Sequence, residues 1–246
     1  MGQSDLESQR NASSRAEADA DVSVRQLNVP YFIEGTGFRS TLVLENRSAR
    51  ELTASVTVYS RYGEPLQEPR VQVQRGQVEK ISLSQFFSKS SLDCAFGNVH
   101  IAFSEDATGV SAYVAVTLND HPCFESAGTP VVKSRFLEAA VMLPNHRSLA
   151  GLALTNIGRK GINVTIRSKL DTHAEKALGI ENRQTRLVDL RPLLRFRKGE
   201  PVSAIVLLEH DGDPGDLIAT GFVLSSGAEY AASVDFRNPS QSRESA

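Results

Sequence analysis

The sequence predicts an all-β protein made of two tandem antiparallel β-sandwich domains that are related by an internal duplication. Residues 26–130 and 136–238 carry similar segments in the same order. Both copies alternate apolar and polar residues with period two, which is typical of antiparallel strands with one buried face. Turn residues separate the short runs, as in a sandwich. The matched segments are 42–46 with 152–156, 52–58 with 162–166, and 77–87 with 184–194.

The repeat also indicates where the domains begin and end. The chain has 246 residues, of which 40% are hydrophobic, and this is enough to fill two cores of ordinary size. We expect a disordered tail over 1–22, a first domain over 23–130, a second domain over 131–238 and a short tail over 239–246. The tails are predicted to be disordered because they contain too few large apolar groups to offset the entropy of ordering.

The strands of the first copy are recognised by the apolar residues that alternate toward one face. We expect the strands over 97–103 and 110–117 to form a hairpin, and those over 203–210 and 216–224 to form another. The alternating residues are Leu42 and Leu44, then Leu52, Ala54, Val56 and Val58, then Val99, Ile101 and Phe103, and then Val110, Ala112, Val114 and Val116.

Two segments break the alternation at equivalent places. Residues 83–87 and 190–196 predict a short helical or irregular turn that caps one end of each sandwich. A second matched feature is the asparagine that ends the same strand in both copies, Asn46 and Asn156. Asparagine tolerates positive φ, and its side chain bonds the backbone of its own turn. We therefore expect a structural role for both asparagines.

The run from Phe38 to Leu66, FRSTLVLENRSARELTASVTVYSRYGEPL, combines an apolar strand ending in Asn, a second strand and a Tyr-Gly turn. In these features the chain resembles the immunoglobulin-like β-sandwich repeats of bacterial secreted and surface proteins. The resemblance covers both copies, although the second lacks the Tyr-Gly turn around 170–179. It implies an extracytoplasmic interaction or spacer role and carries no site residues over.

The overall charge points to no particular polyanionic partner. The net charge is −2 and the isoelectric point is near 6.2, so we expect no nucleic acid partner. No apolar run approaches the roughly 20 residues of a membrane helix, so we expect no membrane insertion. The polar start at Met1–Asp5 is not a signal peptide. Either the protein is cytoplasmic, or a Met-Gly start has replaced its natural leader; we favour the second and a periplasmic, secreted or cell-surface location.

The two cysteines, Cys94 and Cys123, flank the predicted hairpin of the first copy. Residues just beyond the open end of a hairpin are near enough for a disulfide, which needs Cα atoms about 4.4–6.8 Å apart. Two free, buried thiols are the alternative. An oxidising compartment would favour the disulfide.

The motifs of common enzymes are missing from the sequence. There is no Gly-x-Ser-x-Gly elbow and no phosphate-binding glycine loop. No two histidines stand at the spacing of a local metal pair. We therefore expect no catalysis and no resident cofactor, with an enzyme whose residues converge only in the fold as an alternative.

Three groups of residues are candidates for ligand binding. Asp211, Asp213 and Asp216 could supply oxygen ligands to calcium, or they form a solvated turn. A basic cluster around Arg191, Arg195, Arg197 and Lys198 could contact an acidic partner or glycan, or be a solvated face. Tyr59, Tyr62 and Tyr113 could form an aromatic platform for a carbohydrate, or cover sheet surface.

These observations predict a non-catalytic structural or protein-interaction module of an exported bacterial protein. Duplication without a catalytic motif favours this function, with a protein or glycan as partner. The alternative is a ligand-binding accessory module for carbohydrate or calcium, which requires one of the three candidate groups to contact the ligand.

Overall fold

A computed structural model describes residues 24–87, 95–130, 133–145, 148–194, 201–225 and 231–239. Within these residues the protein is all-β, with 17 strands in four antiparallel sheets. Two short 3-10 turns, Leu83–Phe86 and Arg191–Leu193, interrupt the strands. The all-β, antiparallel fold class is therefore confirmed.

The first half of the chain contains nine of these strands. Sheet A has the strand order β1-β7-β3-β4, with β5 also paired to β3, and sheet B has the order β6-β2-β8-β9. The strands are β1 (Val24–Glu34), β2 (Phe38–Asn46), β3 (Leu52–Ser60), β4 (Pro65–Gln67), β5 (Arg70–Val73), β6 (Val78–Ser82), β7 (Ala95–Ala107), β8 (Val110–Leu118) and β9 (His121–Ala127).

The second half contains the other eight strands. Sheet C has the order β10-β15-β12-β13, and sheet D has the order β14-β11-β16-β17. The strands are β10 (Phe136–Leu143), β11 (Leu149–Asn156), β12 (Ile162–Ser168), β13 (Asp171–Ile180), β14 (Thr185–Asp189), β15 (Val202–His210), β16 (Leu217–Leu224) and β17 (Ala231–Asp235).

The two halves follow one scheme of strand order. The strands of sheets A and B take the same places as those of sheets C and D, with β13 in the position of β4 and β5. One isolated bridge also recurs: Asn28 exchanges two backbone hydrogen bonds with Thr129, and Glu138 does the same with Arg237. Among the described strands, none pairs with a strand of the other half.

The predicted alternation is observed in both halves. Residues of sheets A and B share one hydrophobic core, and residues of sheets C and D share a second. In β3, for example, Leu52, Ala54, Val56 and Val58 are all buried. Burying a leucine or valine side chain contributes about 1.5–3 kcal/mol, and this stabilises each core.

The predicted hairpins are wrong. β7 lies in sheet A and β8 in sheet B, and likewise β15 lies in sheet C and β16 in sheet D. The short connection after each first strand therefore carries the chain across the core instead of to a hydrogen-bonded neighbour. The physical reason is that each strand has one apolar face, and two such faces are buried equally well when they face each other.

The matched asparagines have the predicted structural role. The Asn46 amide donates to the carbonyls of Arg50 and Val73, at 2.8 and 2.9 Å, and its carbonyl oxygen accepts the N–H of Ser48. Neither asparagine has a positive φ, so the turn depends on side-chain bonding and not on a left-handed backbone at these residues. Asn156 makes the same three types of bond, with Lys160, Ile180 and Gly158.

Candidate functional site

The two halves meet at a junction centred on the middle of β1. Every residue from Leu27 to Glu34 is buried, although a strand at the edge of a sheet ordinarily has one exposed face. The pairing register with β7 shifts between Val29 and Phe32, which leaves Pro30 and Tyr31 as a bulge. A bulge changes the direction of side chains, and here it accompanies the packing of Tyr31 against the second half.

Three aromatic rings form the centre of the junction. Tyr31 stacks on Phe124 and on Phe222, with ring centroids 5.9 and 5.5 Å apart, and the two phenylalanines stack at 5.2 Å. The ring of Phe222 lies over Gly151, where an added Cβ would be 2.0 Å from it. Ala153 belongs to the first core, which therefore extends into the second half.

Buried hydrogen bonds surround this aromatic stack. The Thr155 hydroxyl donates to the Pro30 carbonyl at 2.8 Å and lies 2.9 Å from the hydroxyl of Thr185. The Asn98 amide donates to the Arg183 carbonyl at 2.9 Å and to the Thr185 hydroxyl at 3.1 Å. Because buried polar groups are costly when unpaired, these bonds specify how the halves fit together.

A hairpin tip of the first half extends the junction. The Thr185 N–H donates to the Arg61 carbonyl at 3.1 Å. Gly63 has φ 85°, and a Cβ there would lie 2.4 Å from the Asn182 carbonyl oxygen. Only glycine permits this backbone approach without displacement.

The structure brings two of the three candidate tyrosines to the rim of the junction. The Arg183 guanidinium lies 5.4 Å from the ring centroid of Tyr59, and that of Arg61 lies 4.5 Å from the ring centroid of Tyr62. Tyr62 is 59% exposed. These are cation–π contacts, which at exposed sites contribute about 0.5–1 kcal/mol.

Tyr113 lies elsewhere, on the outer face of sheet B opposite Val43. Burial raises the pKa of its hydroxyl, with further contributions from Glu125 and Glu45. The three tyrosines therefore do not form one platform, and a ligand role for any of them stays a prediction.

One member of the basic cluster lies among the described residues, Arg191, which follows the end of β14. Arg191 forms a two-pronged ion pair with Asp189, and this hydrogen bonding lowers the pKa of the Asp189 carboxyl. The other three candidates, Arg195, Arg197 and Lys198, lie outside the described residues.

The acidic loop binds its own backbone and its neighbours. Asp211 accepts hydrogen bonds from the Asn163 backbone and side-chain amides, both at 2.7 Å, and this lowers the pKa of its carboxyl. The Asp216 carboxylate accepts the N–H of Asp213 at 2.8 Å. Among the described residues, no group of three or more His, Cys, Asp or Glu side chains is placed to hold a metal ion. Calcium binding by these aspartates stays a prediction.

The predicted disulfide between Cys94 and Cys123 is not tested by the structure, because Cys94 lies outside the described residues. Cys123 is half-buried and has no disulfide partner among the described residues, and burial raises the pKa of its thiol. The hairpin that was expected to bring the cysteines together does not form. The start of β7 and the end of β8 nevertheless lie at one end of the first half, since Ala95 pairs with Glu34 and Leu118 pairs with Phe38.

The outer face of sheet C combines exposed apolar side chains with paired charges. Phe136 is 52% exposed, and Ile205 and Leu170 are also exposed. Arg167 forms ion pairs with Glu175 at 2.8 Å and with Glu209 at 3.0 Å. A cleft of about 400 Å³ lies on this face beside Phe136. Surfaces of this mixed character occur where proteins bind other proteins.

Comparison with known proteins identified no family. A scan against protein-family models and a search of curated proteins found no match to the chain. In the described part of the chain, no helix is both long and apolar enough to cross a membrane.

The junction residues were not recognised as functional from the sequence. A signal was present in the run Val29–Ile33, which is apolar without alternation and contains Pro30. Such a run indicates a strand that is covered on both faces. Asn98, Thr155 and Phe222 carry no comparable signal, because each is an ordinary residue of a strand until its partner from the other half is known.

Proposed function

We propose that the chain is a non-catalytic structural and protein-interaction unit of an exported bacterial protein. In this proposal each half is an immunoglobulin-like β-sandwich, and the two halves arose by duplication of one module. The junction locks them into one rigid body, which presents the outer face of sheet C to a protein partner.

The shared strand order supports the duplication and the sandwich. Each half has two antiparallel sheets around one core, and equivalent asparagines close equivalent turns. The bridges Asn28–Thr129 and Glu138–Arg237 also occupy equivalent positions. Two unrelated all-β domains would not be expected to agree in these details.

The junction is the observation that carries the structural role. A flexible linker leaves neighbouring domains free to reorient, whereas a large apolar contact holds them in place. Here the aromatic stack, the extended first core and the Thr155 and Asn98 hydrogen bonds all join the two halves.

NMR relaxation of backbone amides tests whether the two halves tumble as one rigid body. We expect the strands of both halves to report the same rotational correlation time, that of the whole chain. A double variant, Phe222→Ala with Thr155→Val, is expected to give two shorter values. Independent tumbling of the halves in the wild-type chain would contradict the structural role.

Site-specific cross-linking in the native host tests the interaction role. A photoreactive amino acid at Phe136 is expected to capture one partner protein. The control is the same amino acid at Lys80, which is exposed on sheet B. Equal capture from both positions, or none from Phe136, would contradict a partner site on sheet C.

The extracytoplasmic location has its own test. In protein taken from its native compartment, we expect Cys94 and Cys123 to resist alkylation until a reductant is added. Alkylation of both thiols without reductant would remove the support for export. The alternative, a carbohydrate- or calcium-binding accessory module, is favoured by no contact among the described residues.

A further inference from the structure

The edge of β10 differs from the other sheet edges of this protein. An edge strand exposes unpaired backbone groups, and proteins usually protect it with charges, proline or a bulge. β10 has a charge, Glu138, at its bridge to Arg237, but its last five residues, Ala139 to Leu143, have none of these. The other edges carry Pro65 in β4, Arg70 in β5, Lys80 in β6, Pro122 in β9, Glu175 in β13, Arg186 in β14 and Asp235 in β17.

The equivalent edge of the first half is protected by its sequence and by the junction. Beyond the Asn28–Thr129 bridge, β1 continues with Pro30, which has no N–H. The Pro30 carbonyl accepts a hydrogen bond from the Thr155 hydroxyl, so Pro30 has neither a free N–H nor a free carbonyl at this edge. Beyond the Glu138–Arg237 bridge, β10 instead continues with Ala140 and Met142.

The backbone groups of Ala140 and Met142 point away from the sheet. Alternate residues of an antiparallel strand bond to opposite sides, and Glu138 bonds to Arg237 on the side away from β15. Ala140 and Met142 therefore face that same side, where no described residue donates to or accepts from their backbone. A cleft of about 390 Å³ lies there, lined by Ala139, Ala140, Ile205, Ser233 and Val234 and by the charged residues Glu138, Asp235 and Arg237.

We propose that two copies of this chain associate through the edges of their β10 strands, paired antiparallel with Ala140 of each copy opposite Met142 of the other. In an antiparallel pair, two residues that face each other exchange both backbone bonds. This register therefore satisfies every edge-facing N–H and C=O of the two residues in both copies. The side chain of Met142, which is 58% exposed, then packs over the small Ala140 of the other copy.

Other registers satisfy fewer groups. With Ala140 opposite Ala140, Met142 would meet Glu138, whose backbone is already bonded to Arg237. With Met142 opposite Met142, Ala140 would meet Pro144, which has no N–H to donate. The strand ends at Leu143 and the chain bends at Pro144, which limits the pairing to this short segment.

The dimer is independent of the proposed function, because a monomeric rigid unit could also act as a spacer. Its test is sedimentation velocity of the full chain from micromolar to millimolar concentration, where we expect concentration-dependent dimerisation. Ala140→Pro copies the protection of the first half, and loss of its N–H should weaken dimerisation about tenfold or more. Ala140→Ser keeps the N–H and is the matched control, with dimerisation as in the wild type.

A second measurement needs no variant. Hydrogen exchange of the Ala140 and Met142 amides in the wild-type chain should slow as concentration rises, whereas exchange at Ala139 and Val141 should not change. A wild type that is monomeric at millimolar concentration would overturn the proposal. Dimerisation of Ala140→Pro at wild-type strength would also overturn it, as would hydrogen exchange of the Ala140 and Met142 amides at a rate that does not depend on protein concentration. Protection of these amides only by a different added protein would assign the edge to a foreign strand.

Discussion

β1 and β10 hold the same place in their halves, yet one is the most enclosed strand at the junction and the other has an open edge. Both are edge strands, and both are bridged to the end of their own half, at Asn28–Thr129 and Glu138–Arg237. Beyond the bridge, β1 bulges at Pro30 and Tyr31 and packs against the second half. Strand order alone therefore does not decide which edge of a sheet becomes an interface.

The difference lies in a few residues. Where β1 has the bulge, β10 pairs with β15 without a register shift. At the end of the strand, Glu34 of β1 pairs with the first residue of β7, and Leu143 of β10 pairs with the first residue of β15. The first half thus accepts a buried carboxyl where the second has an apolar side chain.

The largest expected effect follows from removing the ring at the centre of the junction. Tyr31 is 1% exposed and stacks on two phenylalanines. We expect Tyr31→Ala to lower the free energy of unfolding by about 3–5 kcal/mol, as for other buried aromatic residues. Chemical denaturation measures this loss. Tyr62→Ala at the rim is the control, within about 0.5 kcal/mol of the wild type; equal losses for both variants would show that the stack is not central.

Alanine variants of two glycines distinguish the effect of the junction contact on stability from the effect of backbone strain. Both Gly63 and Gly76 have positive φ, but only Gly63 has a neighbour within reach of a new Cβ. Gly76→Ala should cost about 1 kcal/mol of stability from backbone strain alone. Gly63→Ala should cost about 2–4 kcal/mol, since overpacking against Asn182 is added. Equal losses of stability for the two variants in thermal unfolding would indicate that the hairpin tip is not in close contact with the second half.

The hydroxyl of Thr155 should have a smaller effect. Thr155→Val keeps the shape of the side chain but removes the donor to the Pro30 carbonyl and the acceptor for the Thr185 hydroxyl. We expect a loss of about 1–2 kcal/mol in denaturant unfolding. Thr165→Val on the outer face of sheet C is the control, and it should change stability by less than about 0.5 kcal/mol. A neutral Thr155→Val would mean that water replaces the lost contact.

The smallest expected effect is a pH dependence of stability, which is caused by the buried carboxyl of Glu34 in β1. Burial is the main cause that raises the pKa of Glu34, while hydrogen bonding from Ser40 and the charge of Arg39 lower it. A raised folded-state pKa means that the protonated form is favoured on folding. Stability from this group is therefore complete below its ordinary pKa near 4.5 and is lost as pH rises through the folded-state pKa.

Glu34→Gln tests this pH dependence. We expect the variant to lose less stability than the wild type between pH 4 and pH 7, because glutamine does not titrate. Unfolding curves at several pH values measure the difference. Parallel pH profiles for the two proteins would contradict a raised pKa for Glu34.

Local features of the fold were predictable from the sequence, and the connections between sheets were not. The alternation of Leu52, Ala54, Val56 and Val58 identified a strand and its buried face, because strict alternation is typical of a strand with one face in the core. The same pattern is equally consistent with two neighbours in one sheet or with two strands that face each other. For this reason β7 and β8 were assigned to a hairpin that does not exist.

The candidate site was less predictable than the fold. Exposed residue types such as Tyr62 and Arg191 drew attention because they often bind ligands, but the structure shows them engaged with Arg61 and Asp189. The residues that join the halves are far apart in the sequence. Thr155 and Pro30, for instance, become partners only after both halves have folded.

The bridges at Asn28–Thr129 and Glu138–Arg237 also set the order of events during synthesis. Each ties the first strand of a half to a residue two positions after the end of its last strand. Neither half can close until almost all of it has left the ribosome, and such long-range pairing slows folding. While the second half is still being synthesised, the residues of β1 that later contact it, such as Pro30 and Tyr31, are exposed to solvent. The first half therefore has an exposed apolar edge until synthesis of the second half is complete.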